Sequence, residues 1–258
     1  MSLLTARVIP YIRIEYMFGM IPVAAAVIPA VVLLIKVYKA DRLEREPVGL
    51  IISLVIMGII STTVAGFLES VGISVLGRFF TEGSLIYNAV LYFGIVAFAE
   101  EGAKYVLLKK RTWNSQHFNC SFDGVVYSVS VSLGFALWEN IGYVMQYGFS
   151  TAVVRAFTAV PGHACFGVFM GVWYGAAKLW NNRGEMLKSN YCRKKALLIP
   201  AIMHGAYDFL TTLKGSLGSF IWLGFVVILF ILAYNRVRIS SKNDEYINYN
   251  KFESFFTN

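Results

Sequence analysis

The sequence predicts an all-α, polytopic bundle of about seven transmembrane helices. Three observations carry that expectation. The chain is 57% hydrophobic and only 15% charged, whereas an ordinary soluble domain has about 25% charged residues. Apolar runs of roughly 18 to 25 residues recur along its whole length, each long enough to cross a hydrocarbon core of about 30 Å. The basic residues gather in every second connection between those runs.

The runs fall at about 17–36, 48–68, 85–108, 123–147, 151–178, 195–213 and 217–235. The first passes into a charged loop rather than a small-residue cleavage site, so it reads as a retained helix. Residues 69–84 (ESVGISVLGRFFTEGS) read as a connector that lies on the membrane surface or re-enters it. The fifth run is the least regular, because it holds both Arg155 and Pro161. No internal repeat or low-complexity segment appears. Residues 1–235 therefore read as one transmembrane domain, and 236–258 as a short cytoplasmic tail.

Orientation follows from the loops. Lys36, Lys39, Arg42 and Arg45 follow the first run, and Lys109, Lys110 and Arg111 the third. Lys178, Arg183, Lys188, Arg193, Lys194 and Lys195 follow the fifth, and Arg236, Arg238, Lys242 and Lys251 the seventh. These are 17 of the 23 Lys and Arg residues, while the opposite side holds only Arg7, Arg13, Arg78, Arg155 and Lys214. The positive-inside tendency then places the N-terminus outside and the C-terminus in the cytoplasm. The net charge of +8 is accounted for by these loops and implies no nucleic-acid partner. Cys120, Cys165 and Cys192 are odd in number and lack CxxC spacing, so neither a disulfide framework nor a zinc ribbon is expected.

Ionisable residues inside membrane spans are costly and default to functional candidates. The third run carries AFAEEGAKYV, with Glu100, Glu101 and Lys104 together. The fourth carries Glu139 and Asn140 in FALWEN, the fifth His163 in PGHACFGVFMG, and the sixth His204 and Asp208 in PAIMHGAYDF. At 1.5 Å of rise per residue, Glu100, Glu139, His163 and His204 fall within roughly 10 Å of one depth. Helical spacing pairs Glu100 with Lys104 and aligns His204 with Asp208, both i, i+4. Glu101, turned about 100° from Glu100, should address a different neighbour. His163, Gly167, Gly171 and Gly175 form a four-residue ladder suited to close helix approach. Pro161 and Pro200 are expected to bend their helices near the two histidines. Asp123, at the start of the fourth run, reads as a structural residue. Any one of these features alone has a bland explanation: an ion pair, an interhelical hydrogen bond, a packing stripe. Their conjunction at one depth on four helices points to a site.

The chain has no HExxH motif, no serine-protease pattern, no GxGD half of an aspartyl site and no phosphate-binding glycine loop. What is left is glutamate and histidine. A buried carboxylate can take a proton from water and return it to a leaving amine, and an imidazole can orient the water or steady an oxyanion.

The series EEGAK at 100–104, FDGVVYSVSVSLGFALWENIGY at 122–143, HACFGVFMG at 163–171 and HGAYDF at 204–209 resembles the PrsW family of intramembrane proteases. That family is related to the wider group of CAAX prenyl-protein processing and bacteriocin-immunity-type membrane proteases. The resemblance covers about residues 85–212, which would be the site-bearing core. It implies a bacterial plasma-membrane peptidase that makes the first cut in a membrane-anchored anti-sigma factor. It also implies that Glu100 or Glu101 activates water while His163 and His204 position it or stabilise the oxyanion. Lys104, Glu139, Asn140 and Asp208 would support them. The wider group has F-x-x-x-H where this chain runs from Phe135 to Glu139, which argues against a prenylated substrate. No cofactor is expected, because adjacent glutamates on a helix should point apart. A zinc ion held by the same glutamates and histidines is the enzymatic alternative, and a proton-coupled transporter the non-enzymatic one. Transporters often show duplicated halves with broken helices, and no such duplication appears here.

Overall fold

A computed structural model describes the backbone of residues 5–247 and the side chains of residues 23–247. The side chains of Arg7 and Arg13, together with Lys251 and the rest of the tail after residue 247, lie outside the described residues. The architecture is the expected polytopic helical bundle. Its helices are α1 (Thr5–Ala40), α2 (Val48–Leu76), α3 (Leu85–Ala89), α4 (Ala97–Thr112), α5 (Asp123–Tyr147), α6 (Phe149–Phe157), α7 (Ala159–Asn182), α8 (Met186–Thr211) and α9 (Gly215–Lys242). A π-helix, Val90–Val96, joins α3 to α4 without a break. The chain thus runs up and down seven times, with α3 to α4 forming one passage and α6 with α7 another.

Several boundaries differ from the sequence expectation; α1 begins at Thr5 rather than near 17, and α8 at Met186 rather than near 195. α2 continues through Leu76, so the first half of the anticipated connector is helix. The fifth passage is two helices that break at Thr158, whose φ of −123° and ψ of −75° leave the helical region. Pro161 therefore sits in the first turn of α7, where a missing N–H costs nothing; it introduces no bend. Of these two prolines, Pro200 is the one in the interior of its helix. α9 runs on to Lys242, past the point where the apolar run ends.

Five passages are long and apolar enough to cross a membrane among the described residues, those containing α1, α2, α4, α7 and α9. α5 and α8 fall short for a physical reason. α5 is the axis of the bundle, packed against α7, α2, α1, α4 and α6, and from Asp123 to Ala136 every residue is buried. A helix wrapped by protein need not be lipophilic, and α5 can carry Ser128, Ser130 and Ser132 in its buried half. α8 begins in the basic loop region before it enters the bundle.

Glycines set how close the helices come. A Cβ on Gly171 would collide with the backbone of Gly124 and Val125, one on Gly167 with Val129 and Ser132, and one on Gly175 with the carbonyl of Ser121. The ladder is therefore the α5–α7 contact within the chain. A second close approach was not anticipated: Gly58 of α2 and Gly134 of α5 each meet the other helix's backbone.

The connections that carry the basic residues share one end of the bundle. Asn119 donates to Glu44 at 3.0 Å, Arg183 pairs with Glu245 at 2.8 Å, and Ile247 N–H donates to the Asn119 carbonyl at 2.7 Å. Alternate loops do therefore lie together. At the same end, burial and the nearby Asp244 charge push the Asp41 carboxyl up to about 6. Burial likewise pushes Glu46 up to about 7. All three cysteines are buried and free.

The glycine contacts make a clean test. Gly171→Ala is expected to lower the stability of the detergent-solubilised protein by about 1–3 kcal/mol, because the methyl meets backbone that cannot give way. Gly224→Ala on α9, with open space around its Cα, should be neutral or gain up to about 1 kcal/mol. Thermal unfolding of both variants beside the parent protein checks the pair.

Candidate functional site

Where α4, α7 and α8 meet, the intramembrane polar residues come together. Ala99 and Ala103 keep the flanks of α4 small, and Ala103 packs with Ala65 of α2 and Phe135 of α5. This close seating brings Glu100, Glu101 and Lys104 inside the bundle. Glu101 and Lys104 are fully enclosed, whereas the Glu100 side chain keeps 8% of its exposure. The π-helix just before α4 takes in an extra residue per turn. It thereby sets the rotational phase in which the glutamates enter the core.

Lys104 is the hub. Its Nζ donates to Glu101 Oε1 at 2.8 Å and to Glu100 Oε2 at 3.2 Å, and lies 3.1 Å from His163 Nδ1. The ring of Phe135 lies 3.8 Å below the ammonium. The Glu100–Lys104 pair follows the predicted i, i+4 spacing. Glu101, however, does not turn to a separate neighbour. It reaches the same ammonium at i, i+3 and extends to His204 Nδ1 at 3.0 Å. The two glutamates converge because Lys104 lies one turn further along, between them.

His163, near the start of α7, is held at both nitrogens: Nδ1 faces Lys104 and Nε2 faces Glu139 Oε2 at 2.9 Å. A neutral ring that accepts at Nδ1 and donates from Nε2 satisfies both contacts. His204 of α8 lies against carboxylates on two sides. Besides Glu101, its Nε2 is 3.3 Å from Asp208 and 3.9 Å from Glu100. Phe166 stacks on the His204 ring at 4.7 Å between centroids, which fixes its plane. The predicted alignment of His204 with Asp208 is therefore a direct side-chain contact.

Glu139 and Asn140 lie beside this centre, and a residue the sequence analysis did not assign to it holds them. Arg155 of α6 donates to Glu139 Oε2 at 2.8 Å and to Asn140 Oδ1 at 3.0 Å, with its guanidinium 3.9 Å from the Tyr143 ring. Asn140 Nδ2 in turn donates to the Ala26 carbonyl of α1. The signal for Arg155 was present, since an arginine inside an apolar run needs an anionic partner. Glu69 is the second addition. The extension of α2 carries it into electrostatic range of Glu100, Glu139, Lys104 and His204.

One donor atom from each of Glu100, Glu101, His163 and His204 lies within 4.8 Å of the others. Glu101 Oε2 is buried without a hydrogen-bond partner among the described residues. Two imidazoles and two carboxylates are donors of the zinc type. The ammonium of Lys104 stands among the same groups. The cluster can therefore activate water with a carboxylate, hold an oxyanion with an imidazole, or bind a metal.

Comparison with known proteins bears on what this cluster serves. Residues 46–234 match the model of the PrsW family intramembrane metalloprotease. A Protease PrsW of Geobacillus kaustophilus is 33% identical over 222 residues, covering 86% of this chain and 92% of that protein. The Protease PrsW of Bacillus subtilis is 32% identical over 209 residues, 80% of this chain and 89% of its own. That of Clostridioides difficile is 27% identical over 237 residues, covering 90% and 94%. No solved structure matches the chain significantly. The region matched by the family model contains Glu100, Glu101, Lys104, Glu139, His163 and His204, and the chain belongs to the PrsW family of intramembrane proteases.

Proposed function

We propose that this protease cuts a membrane-anchored protein, an anti-sigma factor by resemblance, with water activated by Glu100. The convergence of Glu100, Glu101, His163 and His204 from three helices carries the reading. Exposure favours Glu100 over Glu101 as the base. Its side chain keeps 8% of its exposure, whereas Glu101 is fully enclosed and bonded to both Lys104 and His204. Glu100 takes a proton from water, and the oxygen attacks the scissile carbonyl carbon. The developing oxyanion accepts a hydrogen bond from His204, whose ring Glu101 and Phe166 hold in place. Glu100 then passes the proton to the amide nitrogen as the C–N bond breaks. His163, tied to Glu139 and Lys104, holds the network in register.

A zinc reading of the same residues is favoured by the family's description as a metalloprotease and by the donor set itself. Glu100, Glu101, His163 and His204 would hold the ion, which when bound polarises the carbonyl and acidifies water. The partnerless Glu101 Oε2 fits a ligand oxygen. The basic end of the bundle, which is the cytoplasmic side by the positive-inside tendency, would face the cell interior.

Membranes from cells carrying the parent protein, Glu100→Gln or Glu101→Gln can be compared for cleaved termini. A single-pass protein cut by the parent and spared by both variants, a loss of about 100-fold or more, supports proteolysis at this site. No difference in termini, with expression equal, overturns it. Loss of cutting with 1,10-phenanthroline, restored by added zinc, assigns the metal reading; resistance assigns the metal-free one.

Arg155 yields a separate expectation. Arg155→Gln should lower kcat/KM on that substrate by about 10- to 100-fold, because Glu139 loses the partner that aims it at His163. Arg155→Lys should recover part of the loss. Thermal unfolding of each variant separates this from loss of fold.

A further inference from the structure

A second group of acids lies at the basic end of the bundle, away from the protease site. Asp41 and Glu46 come from the connection between α1 and α2, and Asp123 opens α5. One carboxylate oxygen from each lies within 4.8 Å of the others. All three residues are buried, with relative exposures of 4%, 3% and 0%.

The partnering of these oxygens is what sets the group apart from an ordinary acidic cluster. Asp123 Oδ2 accepts from the backbone N–H groups of Asn119 and Cys120 at 3.0 and 2.7 Å. Its Oδ1 has no partner of good geometry among the described residues. The same holds for Glu46 Oε2 and for both oxygens of Asp41. Asp41 is thus a buried carboxylate that no side-chain donor reaches, its nearest aid being the Glu44 backbone. Nearby, Asp244 Oδ1 accepts from Ser121 and Phe122, while its Oδ2 is also without a partner. Buried carboxylates normally find donors, counter-charges or metal ions. In the protease site Lys104 and Arg155 supply that charge; here no described lysine or arginine donates to the open oxygens.

We propose that Asp41, Glu46 and Asp123 form a binding site for a hard divalent cation of the calcium or magnesium type. Three oxygens within 4.8 Å of one another lie no more than about 2.8 Å from a common centre. Calcium–oxygen bonds are about 2.3–2.6 Å and magnesium–oxygen bonds about 2.0–2.1 Å, so small side-chain adjustments complete either shell with water. An all-carboxylate donor set without imidazole or thiolate favours these ions over zinc. The ion would tie the α1–α2 connection to the first turn of α5, the axis on which Glu139 and Asn140 are carried.

The test uses the full-length protein in detergent micelles at constant neutral pH. Calcium and magnesium are titrated separately, following binding by isothermal calorimetry and stability by tryptophan fluorescence during heating. The expected result is saturable binding of one ion per chain, with a rise in Tm of about 5 °C at saturation. Asp41→Asn should weaken binding by about 100-fold or more, because it removes the charge of the most open ligand. In the presence of EDTA that variant should unfold at or above the parent's temperature, since it loses a buried charge that no side-chain donor reaches. Glu100→Gln should retain the full ion response, which separates this site from the protease centre. The proposal fails if neither ion binds nor shifts the parent's Tm. It fails equally if Asp41→Asn responds as the parent does, or if Glu100→Gln removes the response.

Discussion

The arrangement of the candidate site depends on one buried ammonium. Lys104 is fully enclosed and donates to both glutamates while facing His163. A lone charge at that depth would cost several kcal/mol, and so would each carboxylate. Together they are tolerable because every member has a partner. The coupling is mutual: removing the ammonium would strand Glu100 and Glu101, and removing either acid would leave Lys104 underpaired. Asp208 and Glu139 extend the same balance outward, one held by His204 and the other by His163 and Arg155. Because these groups come from α4, α5, α6, α7 and α8, pairing them fixes the relative depth of five helices.

Pairing alone would not place the helices accurately enough for catalysis, which requires reacting groups near 3 Å. The backbone devices supply that placement. Glycines on α5 and α7 bring those helices into backbone contact over three turns. This locks His163 at a set height relative to Glu139. The π-helix before α4 and the break at Thr158 adjust rotational phase at the start of the two helices that carry Glu100 and His163. A regular α-helix through either point would present a different face to the core.

What could be read in the sequence was whatever helical periodicity alone dictates. The i, i+4 pairs Glu100–Lys104 and His204–Asp208, the glycine ladder and the number of passages all follow from residue spacing along single helices. The misplaced features depend on how helices meet. Glu101 converges on Lys104 because both acids find the same ammonium one turn on, an outcome that rotation angle alone argues against. Arg155 makes the fifth run irregular in sequence, and only the packing of α6 shows that it lies against Glu139. Glu69 was lost with the assumed end of α2. Asp41 and Glu46 sit in a short loop, where no periodic signal says that α5 will close over them. The argument that adjacent glutamates cannot serve one centre fails on these distances, so sequence spacing gives no ground for excluding a metal.

The two acidic clusters illustrate different solutions to one electrostatic problem. At bilayer depth the compensating charge is covalently attached, as Lys104 and Arg155. At the basic end the surrounding loops are rich in lysine and arginine, yet none is directed onto the open oxygens of Asp41. Those loops face water, where divalent ions are freely exchanged, so a diffusible cation can do there what Lys104 and Arg155 do in the core. Stability of the α1–α2 connection would then depend on the ionic conditions at that face. Such a division would make the seating of α5, which also carries Glu139 and Asn140 of the candidate site, responsive to ions at that face.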